Sequence, residues 1–121
     1  MAPTKAVSAL LERNKLTFAD FDYFEIHEAF AGQVLCNMKA WESAKYCKDV
    51  LGRSSAIGSI DRAKLNVVGS SLAVGHPFAA TGARILGTLA KLISVNGGKR
   101  GLISICTAGG MGIAAIVESV D

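Results

Sequence analysis

Two apolar runs in the last third of this sequence constrain its fold more than any other feature. Residues 102–106 and 113–117 are short and mostly aliphatic, and the glycine-rich segment 107–112 joins them. Apolar runs of this length on either side of a glycine-rich turn are typical of two antiparallel strands. We therefore expect this pair to close a sheet in the C-terminal part of the chain.

The residues before this pair alternate between helical and strand-like patterns. Apolar side chains recur at helical spacing in residues 4–15 and 28–41, and a shorter helix fits residues 46–51. Short strands are predicted at residues 23–26 and 66–68. The order of helix, strand, helix, strand, helix, strand, strand predicts a single layered α/β domain over residues 1–121.

Two of the helices carry specific expectations. In the helix over 28–41, Glu28 would lie at the positive end of the helix dipole, and Phe30, Val34, Leu35, Met38 and Trp41 would form the buried stripe. A second long helix is predicted to begin after His76, with Pro77 in its first turn and Gly97 at its end. Its inner stripe would be Phe78, Gly82, Ile85, Leu89 and Leu92, and its outer stripe Thr81, Arg84, Thr88 and Lys91.

Composition excludes several classes of protein. Half of the residues are hydrophobic and 19% are charged, which disfavours a disordered chain. The net charge is +3 with scattered basic residues, so we expect no nucleic-acid partner. Three cysteines without CxxC spacing disfavour a disulfide framework and a zinc site. No apolar run reaches the roughly 18 residues of a membrane span, so no transmembrane segment is predicted.

Three reactive side chains fall where predicted strands end. His27 follows the strand 23–26, His76 precedes a helix, and Cys106 ends an apolar run. Strand ends form the ligand-facing edge of an α/β sheet, so we expect the three to converge. Each histidine could be a base, a hydrogen-bond donor, a metal ligand or a structural group. Cys106 could be a small buried hydrophobe or an acid–base thiol, whereas Cys36 and Cys47 are interpreted as structural.

Three short motifs support a sharper hypothesis when they are taken together. They are His27-Glu28-Ala29-Phe30, Gly75-His76-Pro77 and Cys106-Thr107-Ala108-Gly109-Gly110. In this order and at these separations they resemble the HEAF, GHP and CxxGG motifs of the thiolases, over nearly the whole chain. Most thiolases have asparagine at the first position of this motif. The HEAF form, with histidine there, resembles the branch of the family that contains the β subunits of trifunctional proteins and their bacterial counterparts.

The resemblance implies a C-terminal half-domain of the thiolase-like fold, a layered α/β structure with a mixed sheet. It also implies acyl transfer to coenzyme A in fatty-acid β-oxidation, by thiolytic cleavage of a 3-ketoacyl-CoA or the reverse Claisen condensation. His76 would activate a nucleophilic cysteine, and Cys106 would move the proton of the α-carbon. His76 and a donor positioned by His27 would form one oxyanion hole, and the backbone N–H of Ala108 would contribute to another. Coenzyme A would be a substrate, with no covalently bound cofactor and no metal.

The resemblance further implies that this sequence is part of a larger enzyme. The nucleophilic cysteine and most of the CoA-binding loops would lie in an N-terminal half, and the first, central strand of the half-domain would be missing. We therefore expect the chain to be inactive alone and to work with that half on acyl-CoA. A homo-oligomer or a hetero-oligomer with a β-oxidation α subunit is expected, in mitochondria or a bacterial cytoplasm.

Two alternatives remain open. The chain could be a non-catalytic fragment of the thiolase fold that acts in assembly, because a truncated sheet edge invites pairing with another chain. The chain could also belong to a related condensing enzyme such as a ketoacyl synthase, but the cysteine of the Cys106 motif argues against this alternative.

Overall fold

The sheet has three strands in the computed structural model, which describes residues 1–120. The strands are β1 (Tyr23–Ile26), β2 (Arg100–Cys106) and β3 (Gly112–Glu118), in the spatial order β1-β2-β3. β1 runs parallel to β2, and β2 runs antiparallel to β3. The predicted antiparallel pair and mixed α/β architecture are therefore confirmed. β1 and β2 are hydrogen-bonded neighbours, so no further strand lies between them.

Helices cover both faces of this sheet. They are α1 (Ala2–Asn14), α2 (Ala31–Glu42), α3 (Ala44–Leu51), α4 (Ser71–Val74) and α5 (Thr81–Asn96). Two short 3₁₀ turns span Phe18–Asp20 and Arg62–Lys64. α1 packs on β2 and β3, and α5 packs on all three strands.

Side-chain alternation along the strands builds a core on each face. Leu102 joins Phe24, Ile26 and Trp41 in the larger core, whereas the next residue, Ile103, packs in the smaller core against α5. This alternation is the period of two that a strand imposes on its side chains. Because both faces of β2 are buried, neither Leu102 nor Ile103 faces solvent.

The predicted strand at residues 66–68 is wrong. Asn66 has a φ of 48°, in the left-handed region, so the chain turns there instead of extending. Its side-chain amide pairs with the backbone of Ile26 instead, accepting from the N–H at 2.9 Å and donating to the carbonyl at 3.0 Å. Val67 and Val68 are consequently exposed. One side chain thus replaces the hydrogen bonds that a further strand would have made at this end of β1.

The predicted start of the second helix is also wrong. α2 begins at Ala31 and not at Glu28, and Phe30 precedes it with extended backbone and a side chain that is 75% exposed. The carboxylate of Glu28 accepts hydrogen bonds from the backbone N–H of Leu72 at 3.0 Å and from the amide of Asn66 at 2.9 Å. Glu28 therefore stabilises the start of α4 and not the start of α2. Leu35, expected in the buried stripe, is exposed, whereas Val34, Met38 and Trp41 are buried as predicted.

The long helix begins later than His76 and Pro77 suggest. α5 starts at Thr81, and residues 77–80 form a turn in which the Pro77 carbonyl accepts from the N–H groups of Ala80 and Thr81. Ala79 has a φ of 64°, which prevents the helix from extending back to Pro77. Phe78 is therefore 86% exposed, and Thr81 is buried instead of lying on the outer stripe. Ile85 and Leu89 are buried as predicted, and Gly97 ends the helix in the left-handed conformation.

One carboxyl group is buried between β1 and α5. Glu25 is fully buried, and the only hydrogen bond of its carboxyl group within residues 1–120 comes from the Ser70 hydroxyl at 3.4 Å. Burial raises the pKa of Glu25 from 4.5 to about 7, against the opposing effect of the Arg84 charge.

The buried Glu25 should make stability depend on pH. Between the ordinary pKa and about 7, the folded chain keeps a proton that the unfolded chain releases, so the free energy of unfolding falls as pH rises. The loss should not exceed about 3 kcal/mol. Because the lowered pKa of His27 changes stability in the opposite direction, the effect of Glu25 is measured as a difference. Between about pH 5 and about pH 8, urea unfolding should show that the wild-type chain loses more stability, or gains less, than Glu25→Gln. Glu12→Gln, an exposed control on α1, should leave the slope unchanged; an unchanged slope in Glu25→Gln would contradict the assignment.

Two glycines offer a matched test of the α5–sheet contact. A Cβ on Gly101 would lie 2.5 Å from a methyl of the fully buried Leu89, whereas a Cβ on Gly87 in α5 would meet nothing within 4 Å. Gly101→Ala should therefore lower the free energy of unfolding by about 1–3 kcal/mol. Gly87→Ala should raise it by about 0.5–1 kcal/mol because alanine favours the helix. Thermal or urea unfolding measures both; equal effects of the two changes would rule out the close contact.

Candidate functional site

The predicted site residues meet at one cavity beside the carboxyl ends of β1 and β2. The cavity has a volume of about 750 Å³, and His27, His76, Cys106 and Ala108 all line it. This volume lies within the range of small-molecule sites. His27 follows β1, Cys106 ends β2, and His76 lies in the loop between α4 and α5. The convergence that the sequence predicts is therefore present in the structure.

The two histidine rings lie against each other. Their centroids are 4.2 Å apart with an interplanar angle of 47°. The backbone N–H of His27 donates to the Ser104 carbonyl at 2.9 Å, which continues the pairing of β1 with β2. His27 is only 1% exposed, whereas His76 is exposed. The same residue type thus occupies two different environments at one site.

The hydrogen bonds around His76 include an arrangement in which its Nε2 is free to accept a proton. Nδ1 lies 2.7 Å from the Thr81 hydroxyl oxygen, and that hydroxyl donates to the Pro77 carbonyl at 3.2 Å. When the hydroxyl hydrogen is directed to the carbonyl, the Thr81 oxygen accepts from Nδ1–H. Nε2 of His76 is then left with a lone pair that can take up a proton.

His27 is held in its neutral form. Burial lowers the pKa of His27 most, and its electrostatic interactions with His76 and Arg84 lower it further, against a smaller opposing effect of Glu28. Its Nδ1 lies 2.7 Å from the Ser71 hydroxyl oxygen. Its Nε2 is buried and has no hydrogen-bond partner among residues 1–120. A neutral imidazole with one unpartnered nitrogen is suited to hydrogen bonding with a bound molecule.

Cys106 is the one thiol that lines the cavity within the described part of the chain. It is half-buried, and its Sγ contacts the side-chain oxygen of Gln33 at 3.9 Å. Cys47 is fully buried and contacts backbone carbonyls of α2, and Cys36 is exposed on that helix away from the cavity. The positions of Cys36 and Cys47 fit the interpretation that both are structural.

The turn after Cys106 presents a free backbone donor. Ala108 has a φ of 59°, and the next two glycines also lie in the left-handed region. The Ala108 carbonyl accepts from Met111 N–H at 3.0 Å, but the Ala108 N–H has no partner within residues 1–120. An unpaired N–H beside a cavity can stabilise negative charge on a bound oxygen.

Three functional candidates were not predicted from the sequence as site residues. Ser71 and Thr81 each contact a histidine, and Gln33 contacts Cys106. Thr81 could have been found, because it lies only five residues after His76. Ser71 lies 44 residues from His27 and gives no local signal.

Within residues 1–120, no group of three or more His, Cys, Asp or Glu side chains is placed to hold a metal ion. In the same residues, no helix combines the length and the apolar character needed to cross a membrane.

Comparisons with known proteins identify the family of this chain. The sequence profile described as "Thiolase, C-terminal domain" matches residues 1–119. A 3-ketoacyl-CoA thiolase of Colwellia psychrerythraea is 50% identical over 119 residues, which are 98% of this chain and 27% of that protein. A 3-ketoacyl-CoA thiolase of Aeromonas salmonicida is 48% identical over 118 residues, with the same two coverages.

A solved structure supports the same relationship. The crystal structure of human mitochondrial 3-ketoacyl-CoA thiolase matches with a TM-score of 0.80 and 33% identity, over 99% of this chain and 26% of that one. The chain therefore spans about a quarter of the length of these relatives. Because the family profile covers nearly every residue, the chain belongs to the thiolase family and corresponds to its C-terminal domain.

Proposed function

We propose that this chain supplies the C-terminal catalytic portion of a 3-ketoacyl-CoA thiolase. The reaction is cleavage of a 3-ketoacyl-CoA by coenzyme A in fatty-acid β-oxidation, or the reverse condensation. The observation that carries the proposal is the convergence of His27, His76, Cys106 and the free Ala108 N–H on one cavity. Relatives at about half sequence identity bear the name 3-ketoacyl-CoA thiolase.

His76 acts as the base that activates the nucleophile. Its Nε2 lone pair accepts the proton of a cysteine thiol, and the resulting thiolate attacks the 3-keto carbon. The imidazolium that forms can then donate a hydrogen bond to an oxyanion. The nucleophile is assigned to an N-terminal half, as the resemblance to the thiolases implies; in this chain Cys47 is fully buried and Cys36 lies away from the cavity.

Cys106 exchanges the proton of the α-carbon. When the bond between C2 and C3 breaks, its electron pair passes into a thioester enolate, and the Cys106 thiol protonates C2 to release acetyl-CoA. The acyl group stays on the nucleophilic cysteine until the thiol of a second coenzyme A takes it. In the condensing direction the Cys106 thiolate removes the same proton.

Hydrogen-bond donors at the cavity stabilise the negatively charged oxygens that form during this reaction. His27 contributes to the site of the enolate oxygen together with His76, and its low exposure keeps competing water away. The Ala108 N–H serves the oxyanion of the tetrahedral intermediates.

The apolar rim of the cavity supports the proposal that another polypeptide covers it. Phe30, Phe78, Met111 and Ile113 line the cavity and are 75%, 86%, 61% and 54% exposed. A cluster of exposed apolar side chains of this size is unfavourable in water. The N-terminal half is the partner we assign to this rim. A homo-oligomer, or a hetero-oligomer with a β-oxidation α subunit, would contain the complete unit, in a mitochondrion or in a bacterial cytoplasm.

Complementation with an N-terminal half tests the proposal. The 121-residue chain should not cleave acetoacetyl-CoA alone, but should do so after co-expression with the N-terminal portion of the Colwellia thiolase. His76→Ala should lower the restored rate at least about 10²-fold because the base is lost. Lys91→Ala, an exposed control on α5, should retain the rate.

Two outcomes would contradict this function. Ordinary cleavage by the chain alone would mean that no N-terminal nucleophile is needed. A stable complex that stays inactive would favour the alternative function, a non-catalytic fragment acting in assembly.

Substituting Cys106 should separate proton exchange from assembly. In the complemented enzyme, Cys106→Ser should abolish exchange of the acetyl-CoA α-protons with deuterated solvent, because a hydroxyl is a far weaker acid than a thiol. Thiolysis should fall about 10²–10⁴-fold while the two halves still co-purify. Cys36→Ser provides the matched control, since Cys36 lies outside the cavity. Undiminished exchange in Cys106→Ser would remove the thiol from this role.

A further inference from the structure

We propose that Ser71 and Arg84 are positioning residues that fix the tautomer of His27, so that Nε2 carries the proton. The catalytic role of this tautomer rests on the proposed function, whereas the hydrogen bonds that fix the tautomer lie within this chain. Neither residue lines the cavity, so both would act through His27.

The contacts form a short chain from α5 to the histidine. Arg84 on α5 donates from Nη2 to the Ser71 hydroxyl oxygen at 2.9 Å, and that oxygen lies 2.7 Å from Nδ1 of His27. Ser71 is 6% exposed and His27 is 1% exposed, so water has little access to either group. The orientation of the Ser71 hydroxyl is therefore set by protein atoms.

The hydrogen of the Ser71 hydroxyl decides the tautomer. Because the oxygen already accepts from Arg84, the hydroxyl hydrogen is free to donate. Within residues 1–120, Nδ1 of His27 is the acceptor in contact with it. The proton of the neutral ring must then lie on Nε2. The opposite tautomer would place two hydrogens between Ser71 and Nδ1 or leave the hydroxyl hydrogen buried without an acceptor.

The charge of Arg84 supports the same state. A guanidinium does not lose its proton in proteins, so Ser71 always has a donor on its oxygen. The same charge disfavours a second proton on His27. Nε2–H, which is buried and has no partner among the described residues, is thereby kept as a donor for a bound oxygen.

Nitrogen NMR on the histidines tests this directly. The chain has only two histidines, so ¹⁵N-histidine labelling gives two imidazole spin systems, which His76→Gln assigns. Long-range ¹H–¹⁵N correlations should show a protonated Nε2 and an unprotonated Nδ1 for His27 in the wild-type chain. Ser71→Ala should convert His27 into a mixture of tautomers, and Ser71→Thr should restore the wild-type pattern because it keeps the hydroxyl.

Ser70→Ala is the matched control. Ser70 also contacts Arg84, at 3.4 Å, but does not contact His27, so its loss should leave the His27 signals unchanged. A protonated Nδ1 in the wild-type chain, or an unchanged Nε2–H in folded Ser71→Ala, would overturn the inference. The spectra need neither substrate nor partner, so failed complementation with a correct tautomer would reject the proposed function alone.

Discussion

The parallel pairing of β1 with β2 is the interaction on which the site depends. Its register aligns Tyr23 with Gly101 and Ile26 with Ser104, and the N–H of His27 extends it by one further bond to the Ser104 carbonyl. Cys106 lies two residues beyond Ser104, so the thiol and the imidazole reach the same edge of the sheet. A slip of one residue would turn His27 to the opposite face, because side chains alternate along a strand. The backbone hydrogen bonds between β1 and β2 therefore set the relative positions of His27 and Cys106 without a contribution from the loops.

A polar clasp formed by Asn66 and Glu28 brings the remaining site residues to this edge. Asn66 pairs with both backbone groups of Ile26, and Glu28 binds the amide of Asn66 and the backbone of Leu72. These bonds hold the start of α4 beside the end of β1. Ser71 is thereby held against His27, and the loop after α4 brings His76 over its ring. The side chains of Asn66 and Glu28 thus hold this part of the chain beside β1, as the backbone hydrogen bonds of a further strand would do.

The sequence predicts the parts of this structure that depend on local periodicity. Apolar spacing and glycine predict the three strands, the Gly97 terminus and the presence of helices near residues 4–15 and 28–41, although the observed bounds of these helices are 2–14 and 31–42. The meeting of His27 and Cys106 follows from their places at strand ends, whereas His76 reaches them from the loop between α4 and α5. The clasp could not be predicted in this way, because Asn66 and Glu28 are 38 residues apart and their hydrogen bonds are tertiary. The late start of α5 was missed because Ala79 adopts a left-handed backbone that its residue type does not signal. The burial of Glu25 beside Ser70 likewise depends on the packing of α5 against β1.

Two histidines at one cavity can do different chemistry only if their surroundings distinguish them. The hydroxyl beside His76 belongs to Thr81, and when it donates to the Pro77 carbonyl the ring donates from Nδ1 and keeps the lone pair of Nε2 free. The hydroxyl beside His27 belongs to Ser71, and its oxygen is occupied by Arg84, so the ring accepts at Nδ1. In these arrangements the Thr81 hydroxyl is paired with a carbonyl and the Ser71 hydroxyl with a guanidinium. The hydrogen bond between the hydroxyl and Nδ1 therefore runs in opposite directions at the two histidines. His76 is also open to solvent, where a charge is hydrated, whereas His27 is buried beside a cation, where a second charge is costly. The low pKa of His27 therefore keeps it a neutral hydrogen-bond donor, with its ring centroid 4.2 Å from that of His76.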